Sequence, residues 1–142
     1  MLYCLENDFL HIMRIHLIAV GRHPLVDHPT KGANMQINLT NVSSTHWQSV
    51  PAKEIYPGVR KRDLWRGQNG AKALVVEIDA GASFTKLDIH EPGPEEVFVV
   101  SGTFSDGIHE YPAGSFIHNP TGSAHVPQSK EGCVLFVFFP EG

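Results

Sequence analysis

Residues 81–102 of the chain read GASFTKLDIHEPGPEEVFVVSG, and residues 114–128 read GSFIHNPTGSAHVPQ. Both stretches combine short β-prone runs with turns rich in Gly and Pro. The same pattern continues outward on both sides from Met35 onward, and no long amphipathic helix is indicated. Strands are predicted at residues 37–42, 59–64, 73–78, 84–89, 96–101, 114–117 and 133–139. Many short strands separated by turns predict an all-β sandwich or barrel.

The first stretch carries a set of side chains that could bind a metal ion. Asp88 and His90 are two residues apart in a predicted strand, so both point to the same face. A Pro-Gly-Pro turn then reverses the chain, and the returning strand can place Glu95 beside this pair. His125 follows a second turn of Gly and Pro and can complete the set from across the barrel. Oxygen and nitrogen donors of this kind suit a divalent metal.

The first stretch also resembles the first motif of the cupin superfamily, which has Gly, His-x-His, a Glu after three or four residues, six residues and Gly. His90, Glu95 and Gly102 fit that frame, and the six-residue count selects Glu95 over Glu96. The family's first His is replaced by Asp88. The resemblance implies two histidines and two carboxylates around one Zn²⁺, Fe²⁺, Mn²⁺ or Ni²⁺ ion, or an open position if Asp88 does not bind. A harder, more anionic set disfavours copper.

The second stretch resembles the second cupin motif, which has Gly, five residues, Pro-x-Gly, two residues and His. Gly114, Pro120, Gly122 and His125 match it in full. Two motifs in the right order imply the cupin fold, an all-β double-stranded β-helix of the RmlC-like jelly-roll type. Within this stretch, His118 is expected either near the barrel mouth or on the surface.

Beyond the motifs, the chain is similar to the cupin branch that contains ChrR-like anti-sigma factors and acetylacetone-cleaving dioxygenases. The similarity runs from about Met35 to Phe139 and includes SGTFSD at residues 101–106 and YPAGS at residues 111–115. It implies a metal-dependent enzyme, such as a dioxygenase, acting on a small oxygenated substrate. No separate general base is evident, so Glu95 would also be the catalytic base.

Two other functions remain open. One is a non-catalytic metal cupin that senses or binds a small ligand, as the resemblance to anti-sigma factors suggests. The other is a metal-free isomerase of the sugar-modifying type, against which the four apparent ligands argue. The sigma-binding role is not expected, because the anti-sigma factors use an additional zinc-binding helical domain for it.

Residues 1–34 differ in character from the rest and are predicted to be an N-terminal extension outside a cupin domain of residues 35–142. His-Pro pairs and a Lys-Gly step form a breaker-rich linker there. The apolar stretch from Phe9 to Val20 is interrupted by charge and is too short to span a bilayer.

The amino-acid composition limits the classes of molecule that the protein is expected to bind. The chain has 142 residues, with 11 Lys and Arg against 15 Asp and Glu, for a net charge of −4. This balance disfavours nucleic acid and anionic membranes as partners and leaves a small molecule. Two cysteines without a C-x-x-C pair predict free thiols in the cytoplasm. A homodimer is expected, because an open barrel edge needs covering.

Overall fold

The computed structural model describes residues 36–142, and the chain divides into two units, residues 1–40 and 41–142. The predicted N-terminal extension lies outside the described residues. The regular structure of the described part is almost entirely strand. Its nine strands are β1 (Lys53–Tyr56), β2 (Val59–Arg66), β3 (Lys72–Ile78), β4 (Asp88–Ile89), β5 (Glu95–Ser105), β6 (Glu110–Pro112), β7 (Phe116–Asn119), β8 (Ala124–His125) and β9 (Cys133–Phe139). Two short 3₁₀ helices cover Trp47–Ser49 and Gln68–Gly70.

Two antiparallel sheets account for all nine strands. The larger sheet has the order β1-β2-β3-β9-β5-β6, and β7 also pairs with β5. The smaller sheet consists of β4 and β8. The all-β prediction is therefore confirmed. Among the described residues, no helix has the length and apolar character needed to cross a membrane.

The core is built by alternate residues of the central strands. Side chains two apart on a strand share a face, so one face of β3, β5 and β9 is largely apolar. Each large apolar side chain buried there contributes about 1.5–3 kcal/mol relative to an exposed one. The buried core positions are Val59, Leu74, Val76, Ile78, Val97, Val99, Phe104, Cys133, Leu135 and Val137.

Gly102, the last residue of the first motif, has a steric role. It lies in β5 just after a register shift between Val99 and Ser101, where β5 passes close to β9. Its φ is +73°, a conformation that disfavours any side chain. A Cβ at this position would also overlap the carbonyl oxygen of Gly132. The motif therefore ends in Gly because the two strands approach too closely for another residue.

Two of the predicted strands differ most from the structure, and the strand predicted at residues 114–117 is observed two residues later, as β7. Residues 37–42 form no strand, because the side chain of Asn38 accepts a hydrogen bond from the amide of Thr40, and Asn41 has a φ of +63°. Local side-chain bonds of this kind compete with strand pairing. The strand predicted at residues 84–89 is shortened to the two residues of β4.

Candidate metal centre

Backbone hydrogen bonds connect the Asp88–His90 segment of the first motif to the turn of the second motif. In the small sheet, Asp88 lies directly opposite His125. Just after β4, the amide of His90 donates to the carbonyl of Ser123 at 3.0 Å. The carbonyl of His90 accepts from the amide of Gly122 at 2.8 Å. These bonds fix both histidines relative to each other.

Glu95 reaches the same place from the larger sheet, as the first residue of β5. It lies opposite Asn119 of β7, whose side-chain amide donates to Glu95 Oε1 at 3.1 Å. Only 6% of Glu95 is exposed. Its Oε1 lies 4.0 Å from His90 Nδ1 and 3.9 Å from His125 Nε2. The two sheets therefore contribute to one cluster.

The donor set of His90, Glu95 and His125 fits a metal ion. One potential ligand atom from each lies within 4.8 Å of the others. His90 Nε2 and both ring nitrogens of His125 are buried without a hydrogen-bond partner among the described residues. A buried polar atom left unpaired costs about 1–3 kcal/mol. A divalent ion would satisfy one nitrogen of each ring, and imidazole with carboxylate suits several such ions.

Burial controls protonation in this cluster. It raises the pKa of Glu95 to about 7, with a further increase from the negative charge of Asp88. Burial also lowers the pKa of His90, and neighbouring His125 lowers it further. The imidazole of His90 is therefore held in the neutral form that binds metals, while Glu95 must lose its proton to do so.

Asp88 lies at the rim of the cluster. Its Oδ2 is 3.8 Å from His125 Nε2, and 35% of its side chain is exposed. It is not part of the mutually close set formed by His90, Glu95 and His125. The structure thus brings three of the four predicted ligands together and places the fourth beside one of them.

Glu96 and His118 form a separate pair across β5 and β7. His118 Nδ1 lies 2.8 Å from Glu96 Oε1, and 55% of the His118 side chain is exposed. Strand alternation places Glu96 on the opposite face of β5 from Glu95. Of the two positions considered for His118, the surface one is observed.

A cavity of about 520 Å³ opens beside the cluster, with Asp88 and Glu95 in its wall. This volume is typical of a small-molecule site. Its apolar wall is formed by Ile55, Tyr56, Leu74, Val76, Phe84, Val137 and Phe139. Lys61, Lys72 and Lys86 also line it. No role was predicted for these lysines from the sequence. Lys72 nevertheless precedes Leu74 and Val76 at two-residue spacing, which is visible in the sequence.

The antiparallel all-β fold and the inward-facing His and Glu side chains define a cupin. Residues 35–141 match the family model described as the ChrR Cupin-like domain. The chain belongs to this family, and the predicted fold and resemblance are confirmed. A comparison with curated protein sequences gives no match.

Solved structures agree with this fold. An RmlC-like cupin from Shewanella frigidimarina has a TM-score of 0.60 and 20% identity, covering 69% of this chain and 89% of that chain. A chain in the structure of Rhodobacter sphaeroides SigE in complex with the anti-sigma ChrR has a TM-score of 0.58 and 23% identity. The match covers 66% of this chain and 50% of that chain. A provisionally assigned acetylacetone dioxygenase from Methylibium petroleiphilum gives 0.62 and 18%, covering 75% and 81%. At these identities the similarity shows the fold alone.

Proposed function

We propose that the domain is a metal-dependent enzyme that acts on a small oxygenated substrate, with dioxygenase-like chemistry as the leading candidate. His90, Glu95 and His125 would hold one divalent ion, and Asp88 would be the fourth ligand. The observation that carries the proposal is the cluster of His90, Glu95 and His125, in which both buried histidines have ring nitrogens without a hydrogen-bond partner among the described residues. The adjoining cavity supports a substrate of small-molecule size.

The bound ion, Glu95 and the apolar cavity wall would have different roles in the reaction. The ion, when bound, would act as a Lewis acid or, if it is iron, would allow reaction with O₂. Glu95 is the proposed catalytic base, because its carboxylate faces both the cluster and the cavity. The apolar wall would exclude water from the reacting groups.

Metal analysis and oxygen uptake test the proposal. Purified protein should contain about one divalent ion per chain, and the content should fall at acidic pH because the ligands must be deprotonated. Protein loaded with Fe²⁺ should consume O₂ when a β-dicarbonyl compound is added, and metal-stripped protein should not. A chain that binds neither native metal nor added Fe²⁺ or Zn²⁺ would contradict the proposal.

The second candidate is a non-catalytic module that senses or binds a small ligand. Membership of the ChrR-like family favours it. The cavity would then bind its ligand without turnover. Metal-loaded protein that binds ligands but neither consumes O₂ nor changes them would support this candidate over the enzyme.

Substitutions at Asp88 test the fourth ligand. Asp88→His restores the usual His-x-His pair, so it should keep the metal and shift preference toward softer ions such as Zn²⁺ and Ni²⁺. Asp88→Ala should weaken metal binding by at least about tenfold, the lower range seen even for groups that support a ligand. Competition titrations with a chelator measure both effects. Unchanged affinity and preference in Asp88→Ala would leave three protein ligands.

We also propose a homodimer. Among residues 36–142, β1 pairs with β2 alone, so its outer edge carries backbone groups free for another strand. Light scattering at micromolar concentration should give twice the chain mass of 15.7 kDa. A monomer mass would refute the dimer.

The cytoplasmic location stays a prediction.

A further inference from the structure

Two lysines interrupt the inner apolar face of the barrel. On β3, Lys72 precedes Leu74 and Val76 at the two-residue spacing that places all three on one face. On β2, Lys61 lies directly opposite Val76, and residues opposite each other in a sheet share a face. Both lysines line the cavity. Lysine is rarely placed among core residues unless its charge has a partner.

The charges of Lys72 and Lys86 are unpaired among the described residues, whereas Lys61 has a carboxylate partner. Lys72 Nζ lies 4.2 Å from the ring centroid of Phe139, which lines the same cavity. Lys61 Nζ is 3.3 Å from Asp63 Oδ1, whereas within residues 36–142 neither Lys72 nor Lys86 forms an ion pair with a carboxylate.

The charge balance leaves room for an anion. The two histidines would bind an ion in their neutral form. A divalent ion would offset the carboxylates of Asp88 and Glu95. Lys61 is paired with Asp63, so Lys72 and Lys86 would then remain as uncompensated positive charge. Charges interact more strongly beside an apolar wall than in water. A negatively charged occupant is therefore favoured over a neutral one of the same shape.

We propose that the cavity takes a small organic carboxylate with an apolar body, its carboxylate held by Lys61 and Lys72 and its other end directed toward His90, Glu95 and His125. Lys86, which is exposed, would add to the attraction at the cavity mouth. The inference rests on the proposed function, because it assigns the substrate class of that same site.

Binding of a matched acid and amide tests this proposal. The probes are 3-phenylpropanoate and 3-phenylpropanamide, which share an apolar body and differ in charge. Isothermal titration of Zn²⁺-loaded protein at fixed ionic strength should show tighter binding of the acid. Lys72→Met keeps the side-chain stem over Phe139 but removes the charge, and it should weaken acid binding by about tenfold or more while leaving amide binding unchanged. Lys61→Gln should act in the same direction.

Lys130→Gln is the matched control, because Lys130 is an exposed lysine paired with Glu110 and does not line the cavity. It should keep the wild-type preference for the acid. Binding of 3-phenylpropanamide shows whether the cavity of each variant is intact. The ratio of the acid affinity to the amide affinity therefore measures the contribution of the ligand's charge. Equal affinities in wild-type protein, or a ratio unchanged in both Lys72→Met and Lys61→Gln, would overturn the proposal. Zinc content of the same samples separates this from failure of the proposed function, which a protein unable to bind zinc would indicate.

Discussion

The His125→Ala variant should lose most of its bound metal, with the affinity for Zn²⁺ falling by more than about 100-fold. Substitution of groups that merely support a ligand costs about 10–100-fold, and loss of a ligand should exceed this. His125 is the one proposed ligand from the second motif, and its Nε2 lies near both Asp88 and Glu95. Competition with a chelating dye measures the affinity, and mass spectrometry of the purified protein measures the metal content.

His118→Ala is the matched control for this variant. His118 is exposed, is paired with Glu96 and is not part of the cluster, so its removal should leave metal content unchanged. His90→Ala should behave like His125→Ala. If His90→Ala and His125→Ala both keep a full complement of metal, the central assignment is wrong.

Glu95→Gln should weaken metal binding by more than about tenfold, whereas Glu96→Gln should leave it nearly unchanged. The two carboxylates are neighbours on β5 but lie on opposite faces. Glu95 is buried within 4.0 Å of both histidines of the cluster, and Glu96 pairs with His118. The same chelator competition distinguishes them. Equal losses in both variants would contradict the ligand role of Glu95.

The Glu95→Gln substitution should have a second effect, on the pH dependence of the stability of the folded protein. In metal-free protein, burial raises the pKa of Glu95 to about 7 from an ordinary value of 4.5. Ionised Glu95 is therefore disfavoured in the folded state. Relative to Glu95→Gln, the wild-type free energy of unfolding should fall between about pH 4.5 and about pH 7 by about 3 kcal/mol and then level off. Urea unfolding of both proteins across this range measures the difference, and a difference independent of pH would refute the shift.

The sequence could predict the central strands but not the edges of the sheets. β3, β5 and β9 are long, largely apolar and bounded by turn residues, and side-chain alternation determines their faces. β1 was missed because Lys53–Tyr56 is short and half charged. Residues 37–42 look equally β-prone, yet two Asn side chains favour local turns there. Tertiary pairing, which is not visible in local patterns, decides such segments.

For the candidate site, motif spacing was the informative signal. The six residues between Glu95 and Gly102 distinguish Glu95 from Glu96 because Gly102 occupies a position that excludes a side chain. Spacing could not predict that Asp88 lies at the rim, because its exposure depends on how far β4 extends. The cavity lysines were missed because a charged residue within a strand is ordinarily read as solvent-facing.

Because the site is divided between the two sheets, metal binding should affect how strongly backbone amides are protected from hydrogen exchange. β4 and β8 share two residue pairs, and so small a sheet opens easily on its own. Glu95, however, belongs to the larger sheet. An ion bound between His125 and Glu95 would link the small sheet to the larger one and would oppose its local opening. Amide hydrogen exchange in β4 and β8 should then slow on metal loading, while exchange in β3 and β9 stays the same.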